Sequence, residues 1–110
     1  MKRTAELARR EVRGFILKFL YDAYPEGITL KLIEALLPPW GYFCSQADIR
    51  KAMHCLLDLH LVNTRDVQLP ADISPQIKVY LTALGYQFVV ENKRDSNIIL
   101  PAELDHAQEI

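Results

Sequence analysis

The feature that most constrains the fold of this chain is a switch in hydrophobic periodicity near residue 60. Residues 45–59 place apolar side chains at the three- and four-residue spacing of an amphipathic helix. Residues 61–67 then alternate between apolar and polar side chains, which indicates a strand, and residues 77–81 form a second such segment. Thr82 follows as the cap of a further helix. The order helix, two strands, helix predicts a mainly α domain with a small β-hairpin.

Two more helices are predicted in the N-terminal half. Residues 4–24 carry one apolar stripe at helical spacing: Ala8, Val12, Phe15, Ile16, Phe19, Leu20 and Ala23. A second, short helix starts after Thr29 and stops at Pro38 and Pro39, since neither proline donates a backbone hydrogen bond. Its predicted buried face consists of Leu32, Ile33, Leu36 and Leu37. In the loop of residues 38–44, Trp40 and Phe43 either fill the gap between helices or form an exposed patch for a partner.

The helix of residues 45–59 has the clearest start signal in the chain. Ser45 is a typical N-cap, and Asp48 three residues later completes an Asp variant of the capping box. The predicted core side consists of Ile49, Ala52, Met53, Leu56, Leu57 and Leu59. The side predicted to face outward carries Gln46, Arg50, Lys51, His54 and Asp58.

Length and composition bound the class of protein. A chain of 110 residues, half of them hydrophobic, has the size and composition of one globular domain. No apolar run approaches the ~20 residues that a membrane helix needs, and the basic N-terminus contains no apolar signal segment. Cys44 and Cys55 are too few for a disulfide scaffold. We therefore expect a cytoplasmic protein with reduced cysteines and no membrane partner.

The net charge of −1 hides an asymmetry along the chain. Residues 1–94 contain all 13 Lys and Arg residues against 10 acidic ones, a balance of +3, whereas residues 95–110 contain four acidic residues and no Lys or Arg. We expect a folded domain over residues 1–92 and an acidic C-terminal tail over residues 93–110. The domain is less basic than a strong nucleic-acid binder, for which a pI above ~9 is the usual signal.

Two sequence segments resemble the winged helix-turn-helix. The pattern Ser45-x-x-x-Ile49-x-x-x-Met53-x-x-Leu56-x-x-x-His60-Leu61-Val62 resembles a recognition helix and first wing strand, and Tyr80-Leu81-Thr82-x-x-Gly85 resembles the second wing strand entering the closing helix. The resemblance covers residues 6–90. The position of His60 is often glycine in such families, because the chain leaves the helix there in a left-handed conformation.

A second resemblance is to small winged-helix proteins encoded in Mu-like prophages. They share the Ser-x-x-x-Ile/Val-Arg start of the third helix, the Leu-Thr-x-x-Gly segment and this approximate length. This resemblance implies a phage-derived regulatory or accessory role.

The winged-helix resemblance implies contact with duplex DNA through the third helix. The candidate residues on that helix are Ser45, Gln46, Arg50, Lys51 and His54, because Arg and Lys bind phosphate or guanine and Gln reads adenine. On the wing, Arg65 is the best candidate for the DNA backbone, with Lys78 on the return strand, although Asp66 and Asp72 offset their charge. A basic N-terminal group either flanks the backbone or only solubilises the first helix: Lys2, Arg3, Arg9, Arg10 and Arg13.

We therefore expect a small transcriptional regulator that binds double-stranded DNA. We also expect the apolar first helix to pair with its twin in a homodimer, which would give a two-fold DNA site. Two alternatives stay open at this point. A near-neutral winged helix also suits a protein–protein interaction module, which gains if Asp48, Asp58 and Asp66 interrupt the basic face. The acidic tail could cover that face and inhibit DNA binding.

The sequence gives little support for metal or enzyme chemistry. Cys44, His54, Cys55 and His60 lack the spacing of a zinc site, and residues 54 and 55 point about 100° apart on one helix. No phosphate-cradling glycine loop, HExxH motif or nucleophile elbow occurs. We therefore predict no catalytic residues, no cofactor and no metal.

Overall fold

The structure is a computed structural model that describes residues 2–68 and 76–101. In chain order its elements are α1 (Lys2–Ala23), β1 (Ile28–Thr29), α2 (Leu30–Leu36), a 3₁₀-helix (Pro38–Trp40), α3 (Gln46–Asp58), β2 (Val62–Val67), β3 (Gln76–Leu81) and α4 (Ala83–Val90). The strands form an antiparallel sheet in the order β1-β3-β2. The mainly helical fold with a β2–β3 hairpin is confirmed, and the short strand β1 is an addition that the sequence did not predict.

Side-chain caps set the starts of three helices at the predicted residues. The Thr29 hydroxyl accepts from the Leu32 N–H at 3.2 Å, and the Thr82 hydroxyl accepts from the Gly85 N–H at 2.9 Å. At the start of α3, the Ser45 hydroxyl accepts from the Asp48 N–H at 3.1 Å, and the Asp48 carboxylate accepts from the Ser45 N–H at 3.2 Å. Both bonds of the predicted capping box are therefore present.

Helix α3 ends in a left-handed residue, as the resemblance implied. His60 has φ 61°, its N–H donates to the Leu57 carbonyl, and the Leu61 N–H donates to the Leu56 carbonyl. These two bonds make a Schellman motif, which satisfies carbonyl groups at the helix end and turns the chain into β2. Asn92, with φ 49°, ends α4 through the equivalent pair of bonds.

Helix α1 lies at the centre of the hydrophobic core. Ile16, Leu17 and Leu20 have no solvent exposure, and α1 packs against α3, α4 and β3. Most of the predicted stripe is therefore turned into the core: Val12, Phe15, Ile16 and Leu20 are buried, and Phe19 and Ala23 are partly buried against them. This accounts for the apolar character that suggested a homodimer through the first helix.

Leu32 on α2, which was predicted to be buried, is about half exposed and lies outside the core. The helix has only seven residues and turns one narrow side toward the core, where it buries Ile33. The predicted face was too wide because residue 32 is one position, about 100°, from its buried neighbour.

Part of the predicted acidic tail packs against α1. Ile98 and Leu100 are only 3% and 2% exposed and belong to the core. The Ile99 N–H donates to the Arg10 carbonyl at 3.1 Å, and the Arg13 guanidinium donates to the Asn97 carbonyl at 3.0 Å. The packed chain thus extends past the expected boundary at residue 92, to the end of the described residues at 101. We name residues 95–101 the C-terminal strap; the remaining tail residues, 102–110, lie outside the described residues.

Candidate nucleic-acid interface

The predicted recognition face is the solvent-exposed side of α3. Its opposite side is buried in the core through Ile49, Ala52, Met53 and Leu56. All five candidate residues of this region are exposed: Ser45, Gln46, Arg50, Lys51 and His54. The four-residue spacing puts Gln46, Arg50 and His54 in one row along the helix, with Lys51 in the adjacent row. The fold therefore brings these residues together on the N-terminal part of α3.

The charges on this surface are unevenly distributed along α3. Within residues 2–68 and 76–101, neither Arg50 nor Lys51 has a carboxylate within ion-pair distance. Asp48 is engaged in the capping box, and Asp58 lies at the C-terminal end of the helix, one turn beyond His54. The acidic residues thus border the basic surface at its two ends and leave its centre positive.

On the wing, alternation of the strands separates the basic and acidic side chains. Arg65 is directly opposite Lys78 on one face of the sheet, whereas Asp66 is opposite Ile77 and points to the other face. Asp66 therefore does not pair with Arg65. Asp72, which was expected to offset the wing charge, lies outside the described residues, as do the other residues of the segment 69–75 between the two strands.

Most of the described N-terminal cations have partners within the chain. Arg9 and Arg10 lie 3.2 and 3.7 Å from the Glu6 carboxylate, in i,i+3 and i,i+4 pairs along α1. Arg13 binds the C-terminal strap through Asn97. The structure does not describe the side chains of Lys2 and Arg3. These contacts favour a structural role for Arg13 and leave Arg9 and Arg10 as partly neutralised surface residues.

Trp40 and Phe43 of the aromatic loop are exposed, which favours the surface patch over the filled interhelical gap. Trp40 is 61% exposed and Phe43 is 84% exposed. The Trp40 ring rests with one side on Phe15, at 5.1 Å between ring centroids, and Tyr42 is the loop residue that packs against the core. Burial and the neighbouring Glu11 carboxylate raise the pKa of Tyr42 to about 12, so this phenol stays protonated.

A groove of about 310 Å³ lies between the aromatic loop, α1 and α3. Ala8, Val12, Phe43 and Ala52 form its apolar part, with Lys51 and Asp48 at its edge. Sequence reasoning missed this groove, because its walls come from three separate elements. The exposed Phe43 beside it was the one signal available in the sequence.

The cysteines sit near this surface but do not form a metal-binding group. Cys44 and Cys55 are free and half-buried. Burial and the Asp48 carboxylate raise the pKa of the Cys44 thiol, which therefore favours its neutral form. Among the described residues, no group of three or more His, Cys, Asp or Glu side chains is arranged to hold a metal ion. No helix in that part of the chain is long and apolar enough to cross a membrane.

The element order, the hairpin after α3 and the exposed α3 surface define a winged-helix domain. The fold is similar to the crystal structure of SSV1 F-93, with a TM-score of 0.61 over 91% of this chain and 93% of that chain. The sequences are 22% identical, so this likeness concerns the fold alone. No protein-family model matches the sequence, and the search of curated proteins found no match.

Proposed function

We propose that this chain binds double-stranded DNA through the exposed N-terminal part of α3 and acts as a small transcriptional regulator. The observation that supports this best is the side-chain distribution on α3. One side is buried, and the other presents Arg50 and Lys51 without acidic partners among the described residues. A helix held in this way by a winged-helix domain fits the major groove.

Each candidate residue has a role that follows from its chemistry. Arg50 and Lys51 would contact phosphate or guanine, and Gln46 and His54 would lie near base edges. Ser45 at the helix N-terminus would place backbone N–H groups next to a phosphate. Arg65 would bind the backbone from the wing.

Three finer expectations stay predictions. A phage-derived accessory role and a cytoplasmic location rest on the sequence alone. The homodimer through α1 has lost its main support, because most of the apolar stripe of α1 is turned into the core. Our proposal therefore does not depend on a dimer.

The test is fluorescence anisotropy of a labelled random-sequence duplex, titrated at low and then at physiological salt. We expect micromolar binding that weakens steeply with salt, and Arg50→Ala should lower affinity for a preferred site by about 1–3 kcal/mol. Lys93→Ala is the matched control, because it removes the same charge from an exposed residue after α4. Equal losses of duplex affinity in Arg50→Ala and Lys93→Ala would show that α3 is not the contact surface.

The alternative function is that of a protein–protein interaction module, and the exposure of Trp40 and Phe43 favours it. Large aromatic side chains on a surface are typical of protein interfaces. Absence of duplex binding even at low salt, both in the full chain and after deletion of residues 102–110, would make this the leading proposal. A Phe43→Ser variant that loses function in the cell while keeping DNA binding would give it direct support.

A further inference from the structure

Two basic side chains face each other on the outer side of the wing sheet. Arg65 on β2 and Lys78 on β3 are Cα partners in the antiparallel ladder, so both side chains leave the same face. The Arg65 guanidinium lies 5.3 Å from the centroid of the Tyr80 ring, and the Lys78 ammonium lies 5.6 Å from the same centroid. Two positive charges are thus held against one aromatic ring.

This pairing has an energetic cost. Like charges directly opposite each other destabilise a sheet, by an amount comparable to the gain from favourable cross-strand pairs. The electron-rich face of Tyr80 offsets part of the cost, since it attracts both cations. Among the described residues, no carboxylate forms an ion pair with Arg65 or Lys78. Within residues 2–68 and 76–101, the pair therefore has no anionic partner.

The Tyr80 ring is itself packed against Gly27, the residue that directly precedes β1. A Cβ atom built on Gly27 would lie 2.8 and 2.9 Å from two carbons of the ring, so the ring packs closely against the glycine backbone. Thr29, two residues later, is the Cα partner of Lys78. The backbone of Gly27 therefore supports the ring.

We propose that Arg65 and Lys78 together bind one phosphate group of a nucleic-acid backbone, with Tyr80 positioning both side chains. The guanidinium supplies a planar fork of N–H donors that matches two phosphate oxygens, and the ammonium supplies a compact charge beside it. The assignment of the phosphate to nucleic acid rests on the proposed function. The phosphate site itself does not depend on the α3 contacts.

The salt dependence of duplex binding tests this site. Each phosphate neutralised contributes about 0.9 to the slope of log K against log salt concentration. A double variant, Arg65→Gln with Lys78→Gln, should therefore lose about 0.9 of slope if the two residues share one phosphate. A loss of about 1.8 would mean two separate phosphates, and no loss would mean no contact; either result would overturn the proposal.

Three further variants separate this site from general charge effects. Lys93→Gln with Arg94→Gln removes the same two charges elsewhere and should keep the slope. Tyr80→Phe keeps the ring and should bind duplex DNA normally. Tyr80→Leu removes the ring and should weaken duplex binding several-fold. Equal binding by the Phe and Leu variants would overturn the positioning role of Tyr80.

A second measurement keeps the test independent of DNA. If no duplex binds at low salt, the proposed function fails, and the site is then probed with inorganic phosphate in the millimolar range. Amide NMR shifts at residues 65 and 78 that disappear in the double Gln variant would support the phosphate site. The absence of such shifts in the wild-type protein would overturn it together with the proposed function.

Discussion

The hydroxyl of Thr82 donates a hydrogen bond to the backbone carbonyl of His60, with 2.8 Å between the oxygens. The same hydroxyl accepts from the Gly85 N–H at 2.9 Å and so caps α4. The Thr82 N–H in turn donates to the Leu61 carbonyl. One residue therefore connects the end of α3 to the start of α4, and it fixes how the wing strands leave the helix proposed to bind DNA.

Replacing Thr82 should destabilise the domain through both bonds. Thr82→Val keeps the shape but removes the hydroxyl, and we expect a loss of about 1–2 kcal/mol in the free energy of unfolding, as for other N-cap residues. Thr82→Ser is the matched control and should lose less, because it retains both bonds. Urea denaturation measures the difference. Equal losses in the Val and Ser variants would show that the hydroxyl contributes nothing.

His60 should respond to substitution according to its left-handed backbone. The φ of 61° is unfavourable by about 1–2 kcal/mol for a residue with a Cβ atom. His60→Gly should therefore raise the free energy of unfolding, although the added freedom of the unfolded chain reduces the gain to under about 1 kcal/mol. His60→Val should lower it, because β-branched residues avoid this region. A Val variant as stable as the Gly variant would contradict this explanation.

The elements that were predicted correctly all have local signals. Ser45 and Asp48 lie three residues apart, and the resemblance implied a left-handed residue at His60. The exposure of Arg50 and Lys51 followed from helical periodicity in the same way. Such features depend on a few neighbouring residues, and tertiary packing did not overrule them.

The elements that were missed depend on contacts between distant parts of the chain. The Arg13–Asn97 bond joins residues 84 positions apart, so nothing near residue 97 indicates that the strap is folded. The sequence also did not decide whether Phe43 is exposed, because an aromatic residue in a loop can pack into the core or lie on the surface. The shared position of Arg65 and Lys78 depends on strand register, which the sequence left open across a long loop.

Gly14 should be essential for docking of the C-terminal strap. A Cβ atom built there would overlap the Ile99 carbonyl oxygen, and the atoms in conflict are backbone atoms that side-chain rotation cannot relieve. Gly14→Ala should therefore displace the strap and expose Ile98 and Leu100, with a loss of several kcal/mol. Leu100→Ala, at about 2–5 kcal/mol, is the comparison for a simple loss of core packing. An unchanged free energy of unfolding in Gly14→Ala would contradict the docked strap.

A test of inhibition by the acidic tail needs a deletion that leaves the C-terminal strap in place. Removing residues 95–110 would take Ile98 and Leu100 out of the core and confuse stability with regulation. Removing residues 102–110 still takes away three acidic residues, Glu103, Asp105 and Glu109. If these residues shield the basic surface of α3, the shortened chain should bind duplex DNA more tightly at low salt. Unchanged affinity would dismiss the idea.

The Cys44 thiol should react slowly with alkylating reagents at mildly alkaline pH. Burial is the larger cause and the Asp48 carboxylate the second, and both raise its pKa and reduce the thiolate that reacts. We measure the rate of iodoacetamide modification in a Cys55→Ser background. We expect this rate to rise at a higher pH in the folded chain than in the urea-unfolded chain. Asp48→Asn should move the profile to lower pH, because it removes the charge and keeps an oxygen that accepts the Ser45 N–H.

The same shift predicts a direction for stability against pH. The folded chain holds the Cys44 proton more strongly than the unfolded chain does, so the contribution of this group is present below the ordinary thiol pKa. It is lost as pH rises from that value through the higher pKa of the folded state. Cys44→Ser, with Cys55→Ser as its control, should flatten the alkaline decrease in the free energy of unfolding. An equal decrease in both variants would show that Cys44 is not its source.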